Sequence, residues 1–225
     1  MRSLEAKDRV LVIGSTGFGK SWYVAHEIVA KAGRVDVFDA KAEYSSKDYA
    51  GLTAVAFDEW IARRGLLDEG YHRIATQPTW RTPEDLSLRF GAWTSILSTH
   101  NPKSGLLVAV IEECGALRKY ANEYLEWIAC QSRAWNVPAV FVGQRAVHVS
   151  PTVREQASLV VAFRQQGTED LKALVERFGP DFERCSDLGV GQYVLWDQRE
   201  QIAAAETNAF GRQNQKGKKC RKPKS

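Results

Sequence analysis

Eight residues near the start of the chain can do chemistry together. Gly14-Ser15-Thr16-Gly17-Phe18-Gly19-Lys20-Ser21 satisfies G-x-x-x-x-G-K-[ST] at every position. The glycines let the backbone curl so that successive N–H groups point at phosphate oxygens. A helix opening at the end of the loop adds the partial positive charge of its N-terminus. Lys20 can then bridge the β- and γ-phosphates of ATP, and the Ser21 hydroxyl can ligate Mg²⁺. ATP and Mg²⁺ are therefore the expected ligands.

Binding alone is not hydrolysis. Leu106–Ile111 (LLVAVI) is a continuous apolar run that ends in Glu112-Glu113, as a central strand buried on both faces would. Two acids at such a strand end, beside a triphosphate, divide the work. Glu112 would hold the Mg²⁺ through water, and Glu113 would orient and deprotonate the attacking water. A third run, Val140-Phe141-Val142-Gly143-Gln144, puts a polar residue where ligands bind in parallel sheets, outside the carboxyl end of a strand. Gln144 can touch the γ-phosphate or the water. The bland alternatives are a glycine-rich turn, carboxylates opening an exposed helix, and a capping amide. The strand and helix around the loop argue against the first, and the apolar run before the acids argues against the second. For Gln144 the bland reading yields only because the other two motifs are present.

These groups need a scaffold, and the alternation of elements supplies one. Apolar runs at Arg9–Ile13, Arg34–Phe38, Leu106–Ile111, Pro138–Val142 and Leu159–Phe163 read as strands, with a weaker one at His72–Ala75. Helices are expected over Ser21–Ala32, Asp58–Arg64, Lys119–Trp135 and Glu169–Phe178, with a short one opening at Ser150-Pro151. Another begins at Thr82-Pro83-Glu84-Asp85, which combines a capping hydroxyl, a proline in the first turn and acids at the positive end. Leu86, Phe90, Trp93 and Leu97 then share one face. Asn101–Gly105 reads as a turn. Gly191–Trp196 and Gln201–Ala205 read as a late β-hairpin. The fold class is α/β, a mostly parallel central sheet flanked by helices.

Composition narrows the classes. The chain has 225 residues, 44% of them hydrophobic, enough for one sizeable core. No stretch approaches the roughly 18 uninterrupted apolar residues of a membrane span, and the first residues lack the apolar core of a secretion signal. A soluble protein of a reducing compartment is expected. Cys114, Cys130, Cys185 and Cys220 are scattered and read as ordinary thiols. The formal charge of +4 is unevenly spread: residues 212–225 hold seven Lys or Arg and no acid, which leaves 24 basic against 27 acidic residues elsewhere, a net of −3. We expect one domain over residues 1–211 and a basic tail over 212–225 that can release counterions from a nucleic-acid backbone. The seven tryptophans fall mostly in apolar contexts, such as Trp93 and Trp196, and read as core packing rather than base-stacking platforms.

With these motifs in place, Arg9 to Phe178 resembles the FtsK–HerA superfamily of DNA-pumping ATPases, P-loop NTPases of the RecA type. VDVFDAKAEYS (Val35–Ser45) is similar to the family's strand that ends in Asp, here Asp39, with Lys41, Glu43 and Tyr44 following. SRAWNVPAVFVGQRAVHVSPTVREQASLVVAFR, within Gln131–Arg164, has the family's order. An Arg ends a helix, a strand ends in Gln-Arg, a helix carries a Pro and a strand ends in Phe-Arg. The family's usual Asp-Glu is Glu112-Glu113 here. The short length resembles the packaging ATPases of tectiviruses and poxviruses.

The resemblance implies an ATPase that works as a homo-oligomeric ring around double-stranded DNA, most simply a viral genome-packaging motor. It implies host cytoplasm or a virion vertex as location, and a capsid portal or membrane protein as a further partner. It also implies an Arg offered to a neighbour's ATP, with Arg133 the first candidate and Arg145 and Arg154 the alternatives. The Lys41–Asp48 segment and the Arg145–Ser150 loop are expected to face the pore. A related DNA pump or a virion assembly or export ATPase fits the same residues. Two rivals from other classes are a small P-loop kinase, which would need an Arg-rich lid that is not apparent, and a nucleotide switch that does not hydrolyse.

Overall fold

The computed structural model describes residues 2–44, 51–63, 73–100, 105–200 and 202–207. The expected turn at Asn101–Gly105 (save Gly105), the second half of the Lys41–Asp48 segment, and the 212–225 tail with Cys220 lie outside the described residues.

The apolar runs become the inner strands of a nine-stranded sheet. In chain order these are β1 (Arg9–Ile13), β2 (Val35–Phe38), β3 (Thr53–Ala56), β4 (Arg73–Gln77), β5 (Val108–Ile111), β6 (Ala139–Gly143), β7 (Leu159–Ala162), β8 (Gln192–Asp197) and β9 (Ile202–Thr207). They lie side by side as β3-β4-β2-β5-β6-β1-β7-β8-β9. The pairings from β3 to β7 are parallel. β8 and β9 close one edge as the expected antiparallel hairpin.

Strand alternation sends successive side chains to opposite faces, so each inner strand feeds two cores. Leu11, Ile13, Phe38, Ala109, Ile111 and Phe141 face one layer. Val10, Val12, Val37, Val110, Val140 and Val142 face the other. The first layer contains α2 (Phe57–Ala62), α3 (Pro83–Leu97), α4 (Cys114–Gln131), α5 (Pro151–Gln156) and α6 (Thr168–Phe178). In α3 the expected face is fully buried: Leu86, Phe90, Trp93 and Leu97 are all at 0% exposure. Each such side chain stabilises the fold by roughly 1.5–3 kcal/mol. Thr82 caps α3 by accepting from the Asp85 amide at 3.2 Å.

The second layer is the helix after the glycine loop. It opens as α1 (Lys20–Tyr23), widens into a π turn at Val24–Ile28 and tightens into a 3₁₀ turn at Val29–Lys31. Periodicity predicted one regular helix over Ser21–Ala32. The π turn lets Tyr23, Val24, Ala25, Ile28 and Val29 all reach the sheet.

Other boundaries move as well. The helix expected from Lys119 starts five residues earlier, at Cys114, because Glu113 takes a left-handed φ of 58° and turns the chain directly out of β5. It ends at Gln131, and Ser132–Trp135 continue as a 3₁₀ turn. β3 was not expected. It is an edge strand with only Val55 buried, too short and too exposed to announce itself. Cys114 and Cys185 are buried and Cys130 is exposed, all three as free thiols. Trp60 and Trp93 are core residues, whereas Trp80 and Trp127 are exposed.

Candidate active site

The loop after β1 is held from both sides. The Gly14 amide donates to the Gly143 carbonyl at 3.3 Å, and the Ser15 amide to the Arg164 carbonyl at 2.8 Å. These tie the loop to the ends of β6 and β7, the two neighbours of β1. Gly14 must be glycine: a Cβ there would sit 2.4 Å from the Phe163 Cβ. Gly17 and Gly19 adopt φ of 84° and 104°, conformations that other residues reach only at a cost. Arg164 lies over the Phe18 ring at 5.6 Å, and the Phe18 carbonyl accepts from the Gly191 amide at 3.0 Å. α1 then starts at Lys20 with its first amides facing the loop.

Lys20 and Ser21 share one cavity of about 300 Å³ with Glu112, Glu113 and Gln144, and with Thr16, Trp22, Lys41 and Glu43. All of these lie at the carboxyl ends of the parallel strands, where such sheets bind ligands. β6 separates β1 from β5, so the glycine loop and the acids stand two strand spacings apart, about 10 Å. Gln144, at the end of β6, fills the gap between them. Gly17, Gly19, Lys20, Ser21, Glu112, Glu113 and Gln144, singled out from the sequence, all line this cavity.

Carboxylates crowd this cavity. Burial drives the Glu112 carboxyl up to about 7, and the nearby Glu43 and Asp39 push the same way, against the Tyr44 hydrogen bond and the Lys20 charge. The Tyr44 hydroxyl donates to Glu112 at 2.7 Å. Lys20 is itself shifted down by burial, with Glu112, Glu43 and Glu113 opposing. Its ammonium donates to the Ser15 carbonyl at 3.1 Å. The Ser21 hydroxyl donates to Glu43 at 3.1 Å. Hard oxygens from Ser21, Glu43 and Glu112 suit Mg²⁺, and a dication would relieve the crowding of carboxylates. Among the described residues no three His, Cys, Asp or Glu side chains form a cage of their own. A cation here would lean on phosphate and water oxygens, as Mg²⁺ does.

Sequence reasoning gave the arm after β2 a pore-facing role and no part in this cavity. Asp39 is buried and accepts from the amides of Glu43 and Tyr44 at 2.8 and 3.0 Å. That folds the arm so that three of its side chains reach the site: Lys41 pairs with Glu113, Glu43 with Ser21 and Tyr44 with Glu112. The spacing Asp39-x-Lys41-x-Glu43-Tyr44 was the signal. Its partners lie up to 72 residues away in sequence, the separation of Lys41 and Glu113.

The arginines separate. Arg145 is engaged within its own chain, its Nε donating to Asp170 at 2.9 Å. Arg154 is partly buried and donates to the Ala146 carbonyl at 3.3 Å. Arg133 is exposed on the 3₁₀ turn before β6. It lines a different cavity, of about 320 Å³, with Lys7, Arg9, Cys130 and Arg199 at the amino end of the sheet. Arg133 and Gln144 thus stand at opposite ends of β6.

No protein-family model matches the chain, and no curated protein sequence does. Solved structures do. The genome packaging NTPase B204 from Sulfolobus turreted icosahedral virus 2, in complex with AMPPCP, superposes with a TM-score of 0.72 at 16% identity, over 90% of this chain and 98% of that one. B204 from Sulfolobus Turreted Icosahedral Virus, described as a DNA-packaging ATPase, gives 0.67 at 18% identity over 89% and 97%. The plasmid coupling protein TrwB, with ADP and Mg²⁺, gives 0.65 at 12% identity over 92% and 87%. The chain shares the fold of these three structures over about nine-tenths of its length. In this chain the glycine loop runs between β1 and α1, and the acids after β5 face it across β6. No helix among the described residues is long and apolar enough to cross a membrane.

Proposed function

We propose that this protein is an ATPase that drives double-stranded DNA, as the genome-packaging motor of a virus. The observation that carries the reading is the single cavity in which Lys20, Ser21, Glu112, Glu113 and Gln144 converge. The structures of like fold include nucleotide complexes and viral genome-packaging ATPases, which supports it. The high coverage of B204, 98% of that chain, favours packaging over conjugative transfer.

In this reading the amides of Gly14 through Ser21 and the Lys20 ammonium bind the triphosphate. Mg²⁺, when bound, neutralises phosphate charge; Ser21 directly and Glu112 through water would hold it. Glu113 takes the proton of the attacking water. Gln144 orients that water or touches the γ-phosphate and reports its loss. Arg133, at the far end of the sheet, would serve a neighbouring subunit of a homo-oligomeric ring and not its own ATP. The basic tail would hold DNA or dock on a capsid portal or membrane protein. Host cytoplasm and a virion vertex are the matching locations.

The test is ATP turnover by the purified protein with and without linear duplex DNA, across a salt series. We expect turnover, stimulated by DNA and less so as salt rises. Absence of turnover in every condition overturns the reading. Phosphate transfer to a nucleoside or sugar would make it a kinase.

A further inference from the structure

The Lys41 ammonium and the Glu113 carboxylate form an ion pair inside the proposed ATP cavity. The pair joins the two residues that matter least to each other's local fold. Lys41 sits on the β2 arm, half-exposed, and Glu113 follows β5. Backbone on both sides is held in the left-handed region without glycine, at Ala42 (φ 53°) and Glu113 (φ 58°). Such conformations persist where surrounding contacts enforce them. Here the enforcement is visible: Asp39 holds the Glu43 and Tyr44 amides, and α4 begins on Glu113, whose carbonyl accepts from Ala116 at 2.9 Å. The arm is therefore preset, and Lys41 has two anions to choose between.

One is Glu113, with a single negative charge. The other is the terminal phosphate of a nucleoside triphosphate cradled by Lys20, which carries more charge and three acceptor oxygens. ADP lacks that group. We propose that Lys41 exchanges Glu113 for the γ-phosphate, so that it selects ATP over ADP and frees the Glu113 carboxylate only when there is a bond to cleave. The inference rests on the ATPase reading and assigns Lys41 as a specificity-determining residue of that site. The same exchange guards against wasted chemistry: with ADP present, Glu113 remains paired.

Binding, not turnover, tests this. Affinities for AMPPCP and for ADP, each with Mg²⁺, are measured by calorimetry for the wild type, Lys41→Met, Lys41→Gln, Glu113→Gln and the double variant Lys41→Met/Glu113→Gln. Loss of one charge-assisted contact to phosphate should weaken AMPPCP about tenfold in both Lys41 variants and leave ADP within about twofold. Glu113→Gln removes the competitor, so AMPPCP should bind about three- to tenfold tighter. That gain should vanish when Lys41 is also replaced, which is the coupling that a double-mutant cycle isolates. If the Lys41 variants weaken both nucleotides equally or neither, the inference is overturned. It is also overturned if the Glu113→Gln gain survives in full without Lys41, because the carboxylate then merely repels phosphate. A wild-type protein that binds neither nucleotide instead overturns the ATPase reading itself.

Discussion

The two ends of the parallel sheet are built from opposite materials. At the carboxyl end, Asp39, Glu43, Glu112 and Glu113 crowd around one lysine-lined cavity, glycines take left-handed turns, and a buried carboxylate is held far above its ordinary range. At the amino end, the charges around Asp8 are matched. Asp8 accepts two hydrogen bonds from Arg2 at 2.6 and 2.8 Å, one from the Glu5 amide and one from Ser158. Arg2 and Arg199 extend that network to Asp197 and Glu5. Burial pushes the Asp8 carboxyl up, but the Arg2 hydrogen bonds, the Glu5 amide and the charges of Arg2 and Arg199 together hold it below its ordinary value. One end gathers carboxylates around a cavity. The other end pairs its buried carboxylate within the chain.

The contrast breaks most readily at Glu113. Glu113→Gln should lower ATP turnover by at least about a hundredfold, the usual weight of a general base, while the denaturation midpoint stays within error. A coincident loss of stability would mean that the carboxyl end carries the fold after all. Asp8→Ala probes the other end. It takes away one of the two carboxylates that Arg2 holds and should cost about 2–3 kcal/mol in urea unfolding, less than a fully buried pair because Arg2 keeps Asp197 and some contact with water. AMPPCP affinity of the folded fraction should not change.

Gly14→Ala should cross the divide. The new methyl meets Phe163, so about 1–3 kcal/mol of stability and nucleotide binding should fall together. A variant that keeps either one would show the loop to be looser than its packing implies.

The smallest effect is on pH. Glu112 has a folded value near 7, above that of the unfolded chain. Its neutral form is favoured by folding, so its contribution is present below about 4.5 and is lost as pH rises to about 7. Asp8 is lowered, so its contribution is present above about 4 and is lost as pH falls below that. Thermal scans of the ligand-free protein should therefore peak near pH 4–5. The acid side should flatten in Asp8→Ala and the neutral side in Glu112→Gln.

Much of this was legible from residue types. The glycine loop, the apolar strands and the acids at the end of β5 each carry a local signature, because burial on both faces demands uninterrupted Val, Ile and Leu. The α3 cap and its buried face were equally local. What could not be read depended on contacts distant in sequence or on backbone that composition conceals. Nothing in the sequence announces a left-handed Glu113, since glutamate is not a residue that favours it, and so the start of α4 was expected five residues late. Tyr44 reaching Glu112, and Lys41 reaching Glu113, follow from which strands neighbour β2. That order appears only once β5 is seen beside it.

Position 113 then sets comfort against competence. Glycine would adopt its φ of 58° freely and would relax the junction by roughly 1 kcal/mol or more, yet it would bring no carboxylate to the water. Aspartate tolerates that backbone better than glutamate does but falls one methylene short. Any search for a sturdier version of this chain that scores heat resistance alone should drift toward a small residue at 113 and collect proteins that hold ATP and never spend it.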